Sequence, residues 1–233
     1  MKLKNKTALI TGGNSGLGFQ IAKLLVKKGV RVIILGRDKT RVEKACKDLD
    51  STLVSGIACD VSSSSQVDKT VGTIKKLDVL INSAGIIAYH PLEKHSLKNI
   101  KDIINTNLLG TIYITRSIIK LMKRDNCGTI VNVSSTSGLP SGGHANESIY
   151  MASKYGVTGF TDGLKKEISD EKKNIRIIGF YPGGMNTELF AKSGLDKDTS
   201  NFMDPKEIAK IVIFLLEQQE SIKIDHVVVN RNK

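Results

Sequence analysis

Thr7-Ala-Leu-Ile-Thr11 runs directly into Gly12-Gly-Asn-Ser-Gly16-Leu-Gly18, after which Ile21, Leu24 and Leu25 recur at helical spacing. The first five residues read as a short buried strand. The glycines permit positive φ and let backbone N–H groups approach a phosphate closely. A helix starting there points the positive end of its dipole at the same anion. Strand, glycine turn and helix together make the first half of a dinucleotide-binding unit. Gly18 allows the helix to pack close to the strand. The spacing departs from G-x-G-x-x-G, and the glycines alone would also suit an ordinary strand-to-helix turn.

Beyond this unit, apolar runs and helical patterns alternate along the chain. Strands are predicted at 7–11, 31–35, 54–59, 78–82, 129–134, 175–180 and 224–229, and helices near 17–28, 39–49, 64–75, 98–109, 111–124, 148–170 and 205–218. Such alternation predicts an α/β fold, a doubly wound parallel sheet of Rossmann type with about seven strands and helices on both faces. Val32-Ile-Ile-Leu35 and Asp78-Val-Leu-Ile81 are nearly continuous apolar runs, as strands buried on both faces require. Asp204-Pro205 opens the last helix with an N-cap acid and a proline at the first position. No linker or repeat interrupts 1–233, which reads as a single domain. Segment 189–203 is polar and irregular, as a substrate lid would be.

Composition narrows the function. The 233 residues are 40% hydrophobic, enough for a sizeable core, with no apolar run long enough to span a membrane. The basic stretch Met1–Lys6 leads into the first strand and is not read as a signal peptide. Cys46, Cys59 and Cys127 are odd in number and lack C-x-x-C spacing, which indicates reduced thiols and a cytoplasmic protein. His90, His95 and His144 have no metal-ligand spacing, so no metal is expected. The net charge is +12, but the lysines are scattered and aromatics are only 5%, which argues against nucleic-acid binding.

Tyr150-Met-Ala-Ser-Lys154 carries the chemistry. A spacing of four residues puts the phenol and the ammonium on one helix face. A neighbouring cation favours the phenolate and is expected to draw the tyrosine's pKa down from about 10. Such a tyrosine can protonate a carbonyl oxygen or deprotonate an alcohol.

Taken with the glycine turn, these residues resemble the short-chain dehydrogenase/reductase family, in its compact single-domain branch, over nearly the whole chain. Thr11-Gly12-Gly-Asn-Ser-Gly16-Leu-Gly18 matches T-G-x-x-x-G-x-G. Asp60-Val61 matches the acidic position after the third strand. Asn82-Ser83-Ala84-Gly85 matches N-N-A-G, with Ser83 in place of the second Asn. Asn107, Ser135, Tyr150 and Lys154 fall where the family has its catalytic Asn, Ser, Tyr and Lys. Pro182-Gly183-Gly184 and Thr187 match P-G-x-x-x-T.

The resemblance implies that Tyr150 is the general acid/base. Lys154 would hold it and bond the nicotinamide ribose, Ser135 would bond the substrate oxygen, and Asn107 would anchor a water in a proton relay. It implies a cofactor-binding set of Gly12, Asn14, Ser15, Gly16, Leu17, Gly18, Asp60, Val61, Asn82, Ala84, Gly85, Tyr150, Lys154, Pro182, Gly183, Met185 and Thr187, with Asp60 on the adenine amino group and Val61 on its ring. Cofactor choice turns on Ile34-Leu35-Gly36-Arg37-Asp38. Gly36 leaves room and Arg37 can grip a 2′-phosphate, so NADP is expected rather than NAD. Asp38, the competing acidic residue, reads as the N-cap of the next helix. The expected activity is that of an NADPH-dependent carbonyl reductase or alcohol dehydrogenase acting on a small ketone, aldehyde or secondary alcohol. The alternative is a non-catalytic NADP(H)-binding regulator on the same fold. Ile87, Tyr89, Leu139, Pro140, His144, Met185, Leu189 and Phe202 are candidates for the substrate pocket. The apolar helices near 111–124 and 148–170 suggest a homodimer or homotetramer, with the dimer favoured.

Overall fold

The computed structural model describes residues 2–140, 142–191, 193, 199, 201–219 and 221–231. Its strands are β1 (Thr7–Thr11), β2 (Arg31–Gly36), β3 (Val54–Ala58), β4 (Val79–Asn82), β5 (Gly128–Val133), β6 (Ile175–Pro182) and β7 (His226–Val229). They form one sheet in the order β3-β2-β1-β4-β5-β6-β7, and every pairing is parallel. The fold is thus the doubly wound Rossmann-type arrangement the sequence predicts. Thr11 lies beside Leu35 on one side and Asn82 on the other. The carboxyl ends of the central strands therefore finish level, which is where open α/β sheets bind ligands.

The two-residue strand period divides the core between the faces. Ala8 and Ile10, Val32 and Ile34, Val79 and Ile81, and Ile178 and Phe180 pack on one face. Helices α1 (Gly16–Lys27) and α2 (Lys39–Leu49) and the last helix cover them. Leu9, Leu35, Leu80, Ile130 and Ile177 point to the other face, under α3 (Ser64–Val71), α5 (Gly110–Asp125) and α6 (Ser148–Asp170). The continuous apolar runs of β1 and β4 follow from this: both sides of each strand are core. Side-chain oxygens fix several of the helix starts. Asp38 accepts from Arg41 N at 3.0 Å, so it is the expected cap. Ser63 caps α3, and Asp204 caps α8 (Pro205–Glu217) ahead of its proline.

Three expectations need correcting. The helix predicted to 75 ends at Val71, with Gly72 as its cap. The last strand begins at His226 rather than 224. The helices predicted at 98–109 and 111–124 are one unbroken helical run. α4 (Leu97–Ile104) passes through a π-turn at Asn105–Leu109 into α5. A wider turn changes the helical register by one residue, which hydrophobic periodicity does not reveal. The irregular segment contains a short helix, α7 (Glu188–Ala191), and a Met185–Met203 bridge; positions 192, 194–198 and 200 of it lie outside the described residues.

The β1–α1 turn is closely fitted. Gly12 and Gly16 have φ of +66° and +52°. A Cβ on Gly18 would lie 2.5 Å from the Gly12 carbonyl oxygen and 3.2 Å from Gly13 Cα. These are backbone atoms, so the turn itself would have to move. Gly18→Ala should therefore lower stability by about 1–3 kcal/mol and weaken dinucleotide binding roughly tenfold, the equivalent of about 1.4 kcal/mol. Thermal unfolding and cofactor titration measure the two effects. An unchanged Tm would show that the turn has slack.

Candidate active site

A cleft of about 840 Å³ opens at the carboxyl ends of the strands. Gly12, Asn14, Ser15, Gly16 and Leu17 form its floor after β1, and Gly36, Arg37, Asp38 and Arg41 one wall after β2. Ala84 and Gly85 follow β4, Ser135 follows β5, and Pro182, Gly183, Met185 and Thr187 follow β6. Tyr150 and Lys154 enter from α6, and Val61 lies farther along. The fold thus brings residues spread from 12 to 187 into one groove.

Four of the predicted residues lie outside that lining, with visible reasons. Gly18 is packed beneath the turn. Asn82 is buried and donates to Thr115 Oγ1 at 2.9 Å and Asn132 Oδ1 at 2.8 Å. Asn132 in turn donates to Thr161 Oγ1 at 3.0 Å. This chain ties β4 and β5 to α5 and α6, so Asn82 shapes the cleft from below. Asp60 is drawn into its own turn, accepting from Ser62 N at 2.9 Å and Ser62 Oγ at 2.7 Å. Asn107 is 1% exposed. Its Oδ1 accepts from Ile86 N at 2.8 Å, and its Nδ2 donates to Ile86 O at 2.9 Å and Ser153 Oγ at 2.9 Å. The π-turn that carries Asn107 therefore clamps the strand-end loop to α6. A Cβ built on Gly85 would sit 3.5 Å from Asn107 Oδ1 and 3.7 Å from Lys154 Nζ, so both groups flank one spot. Thr11 Oγ1 accepts from the Ser83 and Ala84 N–H groups at 3.0 Å each, which fixes the loop backbone at the substituted position.

The pair on α6 differs electrostatically from expectation. Lys154 Nζ donates to the Val133 carbonyl at 3.0 Å and lies 5.7 Å from the Tyr150 ring centroid. Burial depresses Lys154 to about 8. Burial likewise pushes Tyr150 up to about 12, helped by the Glu147 charge and opposed by Ser135. Desolvation of the phenol is the largest effect, so the lowering expected from the neighbouring cation is not what the site shows. At neutral pH the tyrosine holds its proton.

Several residues at the wall or behind it carry no sequence signal. Arg41 lines the cleft and pairs with Glu188 at 2.6 Å, joining the start of α2 to α7. Glu147 is 2% exposed and lies three residues ahead of Tyr150. Phe190 stacks on Tyr89. Of the candidate pocket residues, Ile87, Tyr89, Met185 and Leu189 line the cleft, whereas Leu139, Pro140, His144 and Phe202 do not. Phe202 instead packs edge-on against Phe190, behind the wall. A helix-period pattern cannot show that Glu147 points inward, because that depends on Ser137, whose Oγ donates to it at 2.9 Å, arriving from another segment.

The chain's own geometry fits a dinucleotide. Ser15, the N-cap of α1, makes no side-chain bond to the helix it caps, so the first turn is not closed by that side chain. The glycine turn beside it leaves no bulk above the backbone, and Arg37 and Arg41 supply cations at one end. Among the described residues no group of His, Cys, Asp and Glu is arranged to hold a metal ion. No described helix is long and apolar enough to cross a membrane.

Comparison with known proteins agrees. The family profile for short chain dehydrogenase matches residues 6–198. Carbonyl reductase family member 4 of Xenopus laevis is 34% identical over 224 residues, covering 91% of this chain and 92% of that one. The structure of 3-ketoacyl-(acyl-carrier-protein) reductase from Brucella melitensis complexed with NADH superposes with a TM-score of 0.87 at 28% identity, over 98% of both chains. ElxO with NADP bound gives 0.84 at 30% identity, over 97% of both. With a dinucleotide-shaped cleft and a buried Tyr–Lys pair inside this fold, the chain belongs to the short-chain dehydrogenase/reductase family of oxidoreductases.

Proposed function

We propose that residues 1–233 form an NADPH-dependent carbonyl reductase acting in the cytoplasm on small ketones or aldehydes. The observation that carries this reading is Tyr150 held as a phenol beside Lys154 in the cleft. Arg37, Arg41, the glycine turn, Lys154 and Thr187 would hold the cofactor, which when bound supplies hydride to the carbonyl carbon. Tyr150 gives its proton to the carbonyl oxygen as the bond to carbon forms, so the product is the alcohol. Ser135, whose Oγ also receives Ser137 N at 3.1 Å, stabilises the charge developing on that oxygen. Asn107 fixes the loop and helix between which this happens. A tyrosine that keeps its proton is in the state that reduction requires. NADPH oxidation across a panel of ketones and aldehydes tests the reading. Cofactor binding without turnover on any of them would favour the non-catalytic alternative.

The pH profile follows from Lys154. Its ammonium form predominates below about 8 and is lost above, while Tyr150 stays protonated to about 12. With Lys154 needed as a cation, log kcat/KM for reduction should be level near pH 7. Beyond about pH 8, kcat/KM itself should fall roughly tenfold per pH unit. A level profile to pH 9.5 would remove Lys154's charge from the mechanism.

A homodimer is proposed from α5 and α6. Val157, Leu164 and Ile168 are buried within the subunit and Phe160 packs against the same core. The outer face of α6 instead presents Tyr155, 40% exposed, with Gly159 and Gly163, whose built Cβ atoms meet nothing within 4 Å. A smooth stripe beside an aromatic admits a close helix pair. Light scattering at micromolar concentration should give at least a dimer mass for the wild type and a smaller one for Gly159→Glu.

A further inference from the structure

Ser135 and Tyr150 must meet one substrate oxygen, yet they sit on different segments, the turn after β5 and the helix α6. Whatever joins those segments therefore sets the geometry of the reaction. Ser135 Oγ accepts from Ser137 N at 3.1 Å. One lone pair is taken by that bond, and the hydroxyl proton is left for the substrate. The same bond makes the Ser135 side chain and the Ser137 backbone one local unit, so an anchor on Ser137 is also an anchor on the Ser135 hydroxyl.

The turn is tied to α6 on both sides of Tyr150. On the C-terminal side, Ser134 Oγ donates to the Lys154 carbonyl at 2.9 Å, and Thr158 Oγ1 donates to the Gly138 carbonyl at 3.0 Å. On the N-terminal side, Ser137 Oγ donates to Glu147 Oε2 at 2.9 Å, and His144 N donates to the same oxygen at 3.3 Å. Glu147 is the N-cap residue of α6, three residues ahead of Tyr150. Ser137 and Glu147 are both buried, and neither lines the cleft. A carboxylate at that place is favoured by the positive end of the helix dipole. Its bond to the serine hydroxyl is charge-assisted and poorly screened, which makes it a strong tie. Without it the turn would lean on α6 from one side of Tyr150 and would be free to pivot.

We propose that Glu147 is a positioning residue that, through Ser137, sets the approach of the Ser135 hydroxyl to Tyr150 and so to the substrate oxygen. The inference rests on the reading of the cleft as a carbonyl reductase site in which Ser135 and Tyr150 share that oxygen.

Ser137→Ala tests it, because it removes the donor to Glu147 and keeps the N–H that bonds Ser135. The kcat for a ketone that the wild type reduces should fall roughly ten- to a hundredfold, the cost of displacing a reacting group by about an ångström. The dissociation constant of NADPH, read by fluorescence titration, should stay unchanged. Glu147→Gln keeps an acceptor oxygen without the charge and should give a smaller loss of kcat in the same direction. The double variant should be no slower than Ser137→Ala alone, since both changes break one connection. The decisive comparison is made in a Ser135→Ala background. There Ser137→Ala should lower kcat no further, whereas a residue that only supports the fold would subtract the same factor again. Ser137→Ala carries this comparison even if a Glu147 variant fails to fold. An unchanged kcat in Ser137→Ala, a loss accompanied by weaker NADPH binding, or full additivity with Ser135→Ala overturns the inference and leaves the reductase reading in place. If the wild type reduces no ketone or aldehyde, both fall.

Discussion

Tyr150→Phe should lower ketone reduction on the order of 10²–10⁴-fold while leaving NADPH binding nearly intact. The substitution keeps the ring in its buried position on α6 and removes the one atom that carries the transferable proton. Lys154 keeps its bond to the Val133 carbonyl, which does not involve the phenol. The fold should be undisturbed, since only a hydroxyl is lost from an otherwise unchanged side chain. Steady-state turnover and cofactor fluorescence titration separate the two effects. Near-normal turnover would take the proton-donor role away from Tyr150 and leave Ser135 as the candidate nearest to it.

Arg37→Ala should weaken NADPH far more than NADH. Charge-assisted bonds to a phosphate are worth roughly 1.5–3 kcal/mol, so the preference for NADPH should drop between about tenfold and a hundredfold. Arg37 lines the cleft and makes no hydrogen bond or ion pair among the described residues, so its guanidinium is available to a ligand. Arg41, also on the wall, is already paired with Glu188 at 2.6 Å. Arg41→Ala should therefore cost less selectivity than Arg37→Ala, because a phosphate must compete with Glu188 for it. Equal losses of NADPH and NADH in Arg37→Ala would mean that this side chain does not read the 2′-phosphate. The neighbours do not decide the matter in advance, since one is complexed with NADH and another with NADP.

Much of the fold is legible in the chain because its local signals agree with its global arrangement. Continuous apolar runs mark strands buried on both faces, and the runs at 7–11, 31–35 and 78–82 became β1, β2 and β4 in the centre of the sheet. Asp38 and Asp204-Pro205 mark helix starts because capping is a contact within three residues. The glycine turn and the Tyr150–Lys154 spacing are equally local, and both lie in the cleft.

The rest depends on contacts between distant segments. The π-turn around Asn107 is held by Ile86 and Ser153, which are 21 and 46 residues away. Arg41 meets Glu188 across 147 residues, and Asn82 meets Asn132 across 50. The protonation of Tyr150 is hidden from the sequence for the same reason. Sequence shows which charges neighbour the phenol along the helix, but burial, which here outweighs them, is set by every segment that closes over it. Local patterns along the chain suffice for the sheet, the glycine turn and the Tyr150–Lys154 spacing. Which buried groups surround that pair follows only from the packed chain, because desolvation and long-range hydrogen bonds arise there.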